Sequence, residues 1–179
     1  MRRLVLGGLL VVVVAWLTWR FVGAPRESEM PAGAKSDSVR VGLKSVRLYF
    51  AATNGDSLVG EARELPEIQG LHERVAALVS ELSRGPSGRG VGLMPSGTSV
   101  LHVYLDDRGL MTLDLSRAFQ QSFRGGSTAE FLAVGALLRT LGANIDGVRR
   151  VQITCAGATL KSLGGHLPLD RPIDIAELR

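Results

Sequence analysis

Residues 98–115, TSVLHVYLDDRGLMTLDL, decide the fold of this 179-residue chain. Asp106-Asp107-Arg108-Gly109 has the composition of a tight turn. The segments that precede and follow it in the sequence have the alternating side-chain pattern of β-strands. Val100, His102 and Tyr104 would share one side of the first strand, and Leu101, Val103 and Leu105 the other. The stretch therefore predicts a β-hairpin, with its second strand from Leu110 to Leu115.

An amphipathic helix is predicted on each side of this hairpin. The upstream helix is indicated by apolar residues at helical spacing, namely Leu71, Val75, Leu78, Val79 and Leu82. A cationic last turn at Arg84 and a stop at Gly85-Pro86 end it. Downstream, Ser127 and Glu130 have the spacing of a capping box before a second apolar series, and Gly142 is predicted to end that helix.

The remaining strands are predicted at residues 45–51, 58–64, 150–156 and 158–163, where apolar and polar residues alternate. The resulting order is strand, strand, helix, strand, strand, helix, strand, strand. This order favours an α+β fold, in which two main helices pack on one face of a mixed sheet of about five to six strands. Residues 44–175 would form this domain.

The N-terminus has the pattern of a membrane anchor, predicted over residues 1–24. Residues 4–19 carry no charge, and as a helix they would rise about 24 Å, close to the roughly 30 Å of a hydrocarbon core. Arg2 and Arg3 would hold the N-terminus in the cytoplasm, so residues 4–22 would cross the bacterial inner membrane and the domain would be extracytoplasmic. The alternative is a cleaved signal peptide ending at Val22-Gly23-Ala24. The sequence favours the anchor, because the apolar run exceeds the usual signal length.

A flexible linker is predicted at residues 25–43, which are rich in Ser, Gly, Pro and charge. The net charge of +4 includes three arginines in residues 1–24, which contain no acid. The domain is therefore close to neutral, and this argues against nucleic-acid binding. The single cysteine excludes an internal disulfide and a cysteine-rich metal site.

No catalytic, cofactor or metal residues are predicted. No complete phosphate-binding loop, dinucleotide fingerprint or serine-nucleophile motif is present. The three histidines, His72, His102 and His166, lie in separate predicted elements without ligand spacing, and Cys155 is predicted to be a buried strand residue. Asp114 is expected to cap a segment that begins near Ser116.

Eight short motifs, taken in order, resemble the GerMN domain, a family named for bacterial sporulation and spore germination proteins. They are VRLYF at 46–50, LVGEAR at 58–63, LSRGP at 82–86, PSGT at 95–98, LDLS at 113–116 with Phe119, Gly126-Ser127 with Glu130, Thr140-Leu141 with 148–153, and Gly165-His166 before DRP at 170–172. The resemblance implies a membrane-tethered extracytoplasmic domain without a catalytic centre, similar to ring-building modules of envelope complexes.

The candidate interaction or structural residues are Gly85, Pro86, Pro95, Gly97, Asp114, Ser116, Gly165 and His166. The leading hypothesis is a non-enzymatic envelope module that contacts another envelope protein or a second copy of itself. The alternative is a domain that binds a small ligand or a cell-wall glycan, with residues 85–97 as the flexible lip of its site.

Overall fold

The computed structural model describes residues 42–178. The predicted anchor and nearly all of the predicted linker lie outside this range. Among the described residues, no helix combines the length and apolarity needed to cross a bilayer. The predicted domain, in contrast, lies within the described range.

The strands form two sheets and not the single mixed sheet that we predicted. The first sheet pairs β1 (Leu43–Ala51) with β2 (Leu58–Pro66), antiparallel and without interruption. In the second, β3 (Val100–Leu105) and β4 (Leu110–Leu115) form the predicted hairpin, and β5 (Arg150–Cys155) runs parallel to β4. Two short strands, β6 (Ala158–Thr159) and β7 (Ile173–Asp174), pair antiparallel with β5.

Both main helices are where the sequence predicted them. They are α1 (Leu71–Arg84) and α3 (Ser127–Asn144), and a short α2 (Ala118–Gln121) and a 3-10 turn (Ile175–Leu178) were not predicted. Gly85 ends α1 as expected, with φ of 88° and its N–H bonded to the carbonyl of Leu82. Gly142, however, lies inside α3. A Cβ at this position would come within 3.0 Å of Ile175 Cγ2, so the glycine makes room for the 3-10 turn.

A single hydrophobic core joins the two sheets. The inner faces of β4 and β5 supply apolar residues such as Leu113 and Ile153, and β1 supplies Leu48 and Phe50. Between residues 132 and 141, helix α3 is buried on nearly all sides, as expected of a helix in the centre of a domain. Helix α1 contacts both β1 and β3. The helices therefore connect the two sheets, and do not simply cover one face of a single sheet.

Helix α3 also covers one edge of β1. The N–H of Tyr49 donates to Thr140 Oγ1 at 3.0 Å, and the N–H of Arg47 donates to Asn144 Oδ1 at 2.9 Å. Asn144 Nδ2 donates in return to the carbonyl of Arg47 at 2.7 Å. Side chains of a helix thus take the place of a neighbouring strand along this edge.

Candidate functional site

The loop after α1 is fixed to the first sheet by hydrogen bonds. The carbonyl of Gly85 accepts a bond from Arg63 Nη2 at 2.6 Å, and the N–H groups of Ser87 and Gly88 donate to Glu61 Oε2 at 3.0 Å each. Val91 then exchanges two backbone bonds with Ala51, at 2.8 and 3.1 Å. These contacts argue against our expectation that residues 85–97 form a flexible lip.

A network of charged side chains lies beside this loop, and the sequence did not reveal it. The guanidinium of Arg63 lies 2.7 Å from both Glu61 and Glu81 and 5.5 Å from the centre of the Phe50 ring. Burial alone would raise the pKa of Glu61, but hydrogen bonds from Arg63 and from the loop N–H groups outweigh it, so the pKa is lowered. Burial would likewise lower the pKa of Arg63, and its bonds to the two carboxylates raise it instead.

Gly97 and Ser116 lie together where β3 begins and β4 ends. Ser116 Oγ donates to the carbonyl of Gly97 at 3.2 Å and accepts the N–H of Ser99 at 3.0 Å. Gly97 has a positive φ of 78°, a conformation that glycine adopts without strain. The carbonyl of Pro95 accepts a bond from Thr98 Oγ1 at 2.6 Å. These residues hold the entry into the hairpin in place.

Asp114 does not cap a helix, so that prediction was wrong. Its Oδ1 accepts one bond from Thr154 Oγ1 and another from the N–H of Gly157, both at 2.9 Å. Residues 156 and 157 both have positive φ, at 51° and 77°. The buried carboxylate therefore connects β4 to the tight turn after β5, across forty residues of sequence.

His166 lies against the most deeply buried carboxylate of the described chain. Glu130, in the first turn of α3, is 0% exposed. Its Oε1 accepts the N–H of Leu163 at 2.8 Å, and its Oε2 accepts the N–H of His166 at 2.8 Å. The Nδ1 of His166 also lies 3.1 Å from Oε2, while half of that side chain is exposed.

Glu130 thus organises the turn that contains Gly165 and His166. Burial would raise its pKa, but the backbone N–H groups of Gly164, His166, Leu163 and Leu167 outweigh this effect and lower the pKa. The predicted capping box is wrong, because α3 has no side-chain hydrogen bond at its N-cap, Gly126.

The eight candidate residues therefore separate into distinct clusters. Gly85 and Pro86 lie next to the Arg63 network, and Gly97 bonds to Ser116 while Pro95 bonds to Thr98. Asp114 has its own partners, and Gly165 and His166 lie in the turn that Glu130 holds. His166 also lines a depression of about 340 Å³ with Ser127, Thr128, Phe131 and Leu167. Within residues 42–178, no three His, Cys, Asp or Glu side chains are grouped to hold a metal ion.

Most of this domain matches the model of a known protein family. The family model described as Germane, sporulation and spore germination, matches residues 47–161. The chain belongs to this family. The match begins in β1 and ends just after β6, and so includes the Arg63 network, Asp114 and Glu130. A search among curated proteins found no match.

Solved structures show the same GerMN-type fold. The first GerMN domain of the sporulation protein GerM from Bacillus subtilis is 20% identical, with a TM-score of 0.54, over 73% of this chain and 97% of that one. The tandem GerMN domains of the same protein are 19% identical, with a TM-score of 0.57, over 75% of this chain and 47% of the tandem. A Clostridium perfringens protein described as a lipoprotein is 20% identical, with a TM-score of 0.53, over 77% of this chain and 91% of that one.

Proposed function

We propose that this chain is a non-catalytic GerMN domain, tethered outside the cytoplasm at the bacterial inner membrane, that acts as an interaction or assembly module of the cell envelope. The observation that carries this proposal is how three carboxylates of the domain are used. Glu61, Asp114 and Glu130 all accept hydrogen bonds from the protein's own backbone N–H groups. Carboxylates held in this way stabilise the protein's own loops.

The proposed tether rests on the sequence and is supported by the similar structures. Residues 4–22 have the length and apolarity of an anchor, and basic residues precede them. Of the three similar structures, one is described as a lipoprotein and two come from a sporulation protein. A lipid-attached relative would place the same fold at a membrane surface by a different kind of anchor.

The proposed contacts would use apolar side chains on the surface. Tyr104 on β3 is 67% exposed, and Phe131 on α3 is 44% exposed. Aromatic residues contribute strongly to protein interfaces, because they bury a large area with few rotatable bonds.

Photocrosslinking in intact cells tests this proposal. A photoreactive amino acid replaces Tyr104 or Phe131 in the full-length chain, and Thr159, an exposed polar residue on β6, serves as the control position. Adducts are captured by an affinity tag and identified by mass spectrometry. A crosslink to a discrete envelope protein, or to a second copy of this chain, at Tyr104 or Phe131 but not at Thr159 would support the proposed interaction module. The same background at all three positions would overturn it.

A ligand-binding function is the second candidate. It is favoured by the depression beside α3, where Phe131 and His166 both expose part of their side chains to solvent. A ligand that binds the folded chain must raise its melting temperature by mass action. Soluble cell-wall fragments at millimolar concentration should therefore raise the melting temperature, and the absence of any shift would remove this candidate.

A further inference from the structure

The outer edge of β2 is free of any partner in the part of the chain that the structure describes. The first sheet contains only β1 and β2, so each strand has one edge that does not face the other. On β1 that edge is occupied by Thr140 and Asn144 of α3. No backbone hydrogen bond within residues 42–178 reaches the other edge of β2. Unpaired strand edges are sites where a further strand can add.

The register of the first sheet identifies the groups at this edge. Arg47 and Tyr49 direct their N–H groups toward α3 and therefore away from β2. Their partners in the antiparallel register are Ala62 and Gly60. Because alternate residues of an antiparallel strand bond to opposite sides, Gly60, Ala62 and Glu64 direct their N–H and C=O groups to the outer edge.

This edge also differs from the outer edge of β3. Strand β2 is nine residues long and keeps an uninterrupted register with β1, while β3 is six residues long and has an irregularity between Val100 and His102. Short strands and bulges protect edges from pairing. Strand β2 has neither protection, and it has small residues at Gly60 and Ala62.

The sequence of β2 is complementary to itself when two copies run antiparallel. With Ala62 opposite Ala62 of the second copy, Glu61 faces Arg63 and Val59 faces Leu65, so that opposite charges and apolar side chains are paired. A slip of two residues leaves only 58–64 or 60–66 paired. The first of these slips places Glu61 opposite Glu61 of the second copy, and the other places Arg63 opposite Arg63. The central register is therefore the longest and the best matched in charge.

There is also room for an added strand. A groove of about 560 Å³ runs beside β2, between residues 61–65 and the end of α1 with its following loop. Glu81 and Arg84 line its far side, together with Ser87 and Gly88. Side chains of an incoming strand that point toward α1 can enter this groove.

We propose that β2 pairs with β2 of a second copy of this chain, antiparallel and centred on Ala62. The two small sheets then become one sheet of four strands, in the order β1, β2, β2 and β1. This inference rests on the proposed function, because it names a second copy as one partner of the proposed assembly module.

A charge exchange at Ala62 tests the pairing. Ala62→Lys and Ala62→Glu each place like charges opposite one another at the centre of the interface, so each variant alone should dimerise roughly fivefold more weakly. An equimolar mixture of the two should recover the wild-type dimer, because lysine then faces glutamate. The full-length chains are compared in mild detergent by analytical ultracentrifugation, and circular dichroism confirms that each variant is folded. A wild-type monomer, or unchanged association of both variants, would overturn the proposal.

Cysteine crosslinking in cells provides an independent measurement. Ala62→Cys should give a crosslinked dimer with a short bifunctional maleimide. Ser45→Cys, an exposed position on β1 that faces Glu64 across the sheet, is the matched control and should not. The unsubstituted chain, whose Cys155 is buried, controls for the native thiol. Equal crosslinking at positions 45 and 62 would overturn the register. Capture of a different envelope protein without any crosslink at position 62 would overturn only this inference and leave the proposed function standing.

Discussion

Replacing Glu130 by glutamine should destabilise the domain, although the side chain keeps its size. Each carboxylate oxygen now accepts a backbone N–H, from Leu163 and from His166, both at 2.8 Å. An amide has one acceptor oxygen, so one of the two N–H groups would face an NH₂ donor. An unsatisfied buried donor costs about 1–3 kcal/mol, and the lost charge assistance brings the total to about 2–4 kcal/mol.

This cost converts into a measurable shift of the melting temperature. For a domain of this size, 1 kcal/mol corresponds to about 3–4 °C, so Glu130→Gln should melt about 6–16 °C below the wild type at pH 7. Circular dichroism is the suitable probe, since both tryptophans, Trp16 and Trp19, precede the domain. Hydrogen exchange should also accelerate at residues 163–167. The control is Glu73→Gln. Because the Glu73 side chain is 64% exposed, this substitution should leave the melting temperature unchanged.

The same variant has a defined pH dependence. Because the folded pKa of Glu130 is below its ordinary value of 4.5, the ionised carboxylate stabilises the fold above that pH. This contribution is lost as the pH falls through the lowered pKa. The difference between wild type and Glu130→Gln should therefore shrink on acidification. Equal melting temperatures at pH 7, together with unchanged exchange at residues 163–167, would refute the assigned role of Glu130.

Three further substitutions test other contacts, each followed by urea unfolding. Arg63→Met should cost about 1.5–3 kcal/mol, because Glu61 and Glu81 would both lose a charged hydrogen-bond partner while Arg84 still pairs with Glu81, and a cost near zero would contradict the network. Thr140→Val should cost about 1–3 kcal/mol through loss of a buried acceptor, whereas Thr140→Ser keeps the acceptor and should cost only the loss of one buried methyl group, about 0.8 kcal/mol. Gly109→Ala should cost more than Gly147→Ala. Both have positive φ, but only at Gly109 would a Cβ come within 2.6 Å of a carbonyl oxygen, and similar costs would exclude that clash.

Local patterns predicted the elements of this fold better than their assembly. The hairpin at residues 98–115 and both main helices depend on alternation or helical spacing within one segment, and they are confirmed. The division into two sheets depends on which strands meet through α1 and α3, which no single segment encodes. The two-residue strand β7 is too short to give a periodic signal.

The errors at the candidate site have a common physical cause. Ser127 and Glu130 have the spacing of a capping box, but Glu130 instead turns inward to residues 163–167. Asp114 stands before a turn-like segment, yet its partner N–H lies at Gly157. A carboxylate beside free N–H groups is favourable in either arrangement, so spacing alone cannot choose between nearby and distant donors. A polar residue within an otherwise apolar series was the available signal in both cases.

The helix side chains along β1 also bear on how large an assembly could become. A sheet that grows through a free strand on each side can add molecules without limit, as fibres do. Here Thr140 and Asn144 occupy one side, so residues 42–178 contain a single open strand in this sheet. In a dimer paired through β2, the two outer edges of the four-stranded sheet would both be β1 edges that α3 covers. Association by this route would stop at two molecules. The mean mass of the assembly would therefore reach a plateau as the protein concentration rises, whereas the mean mass of an open polymer would continue to increase.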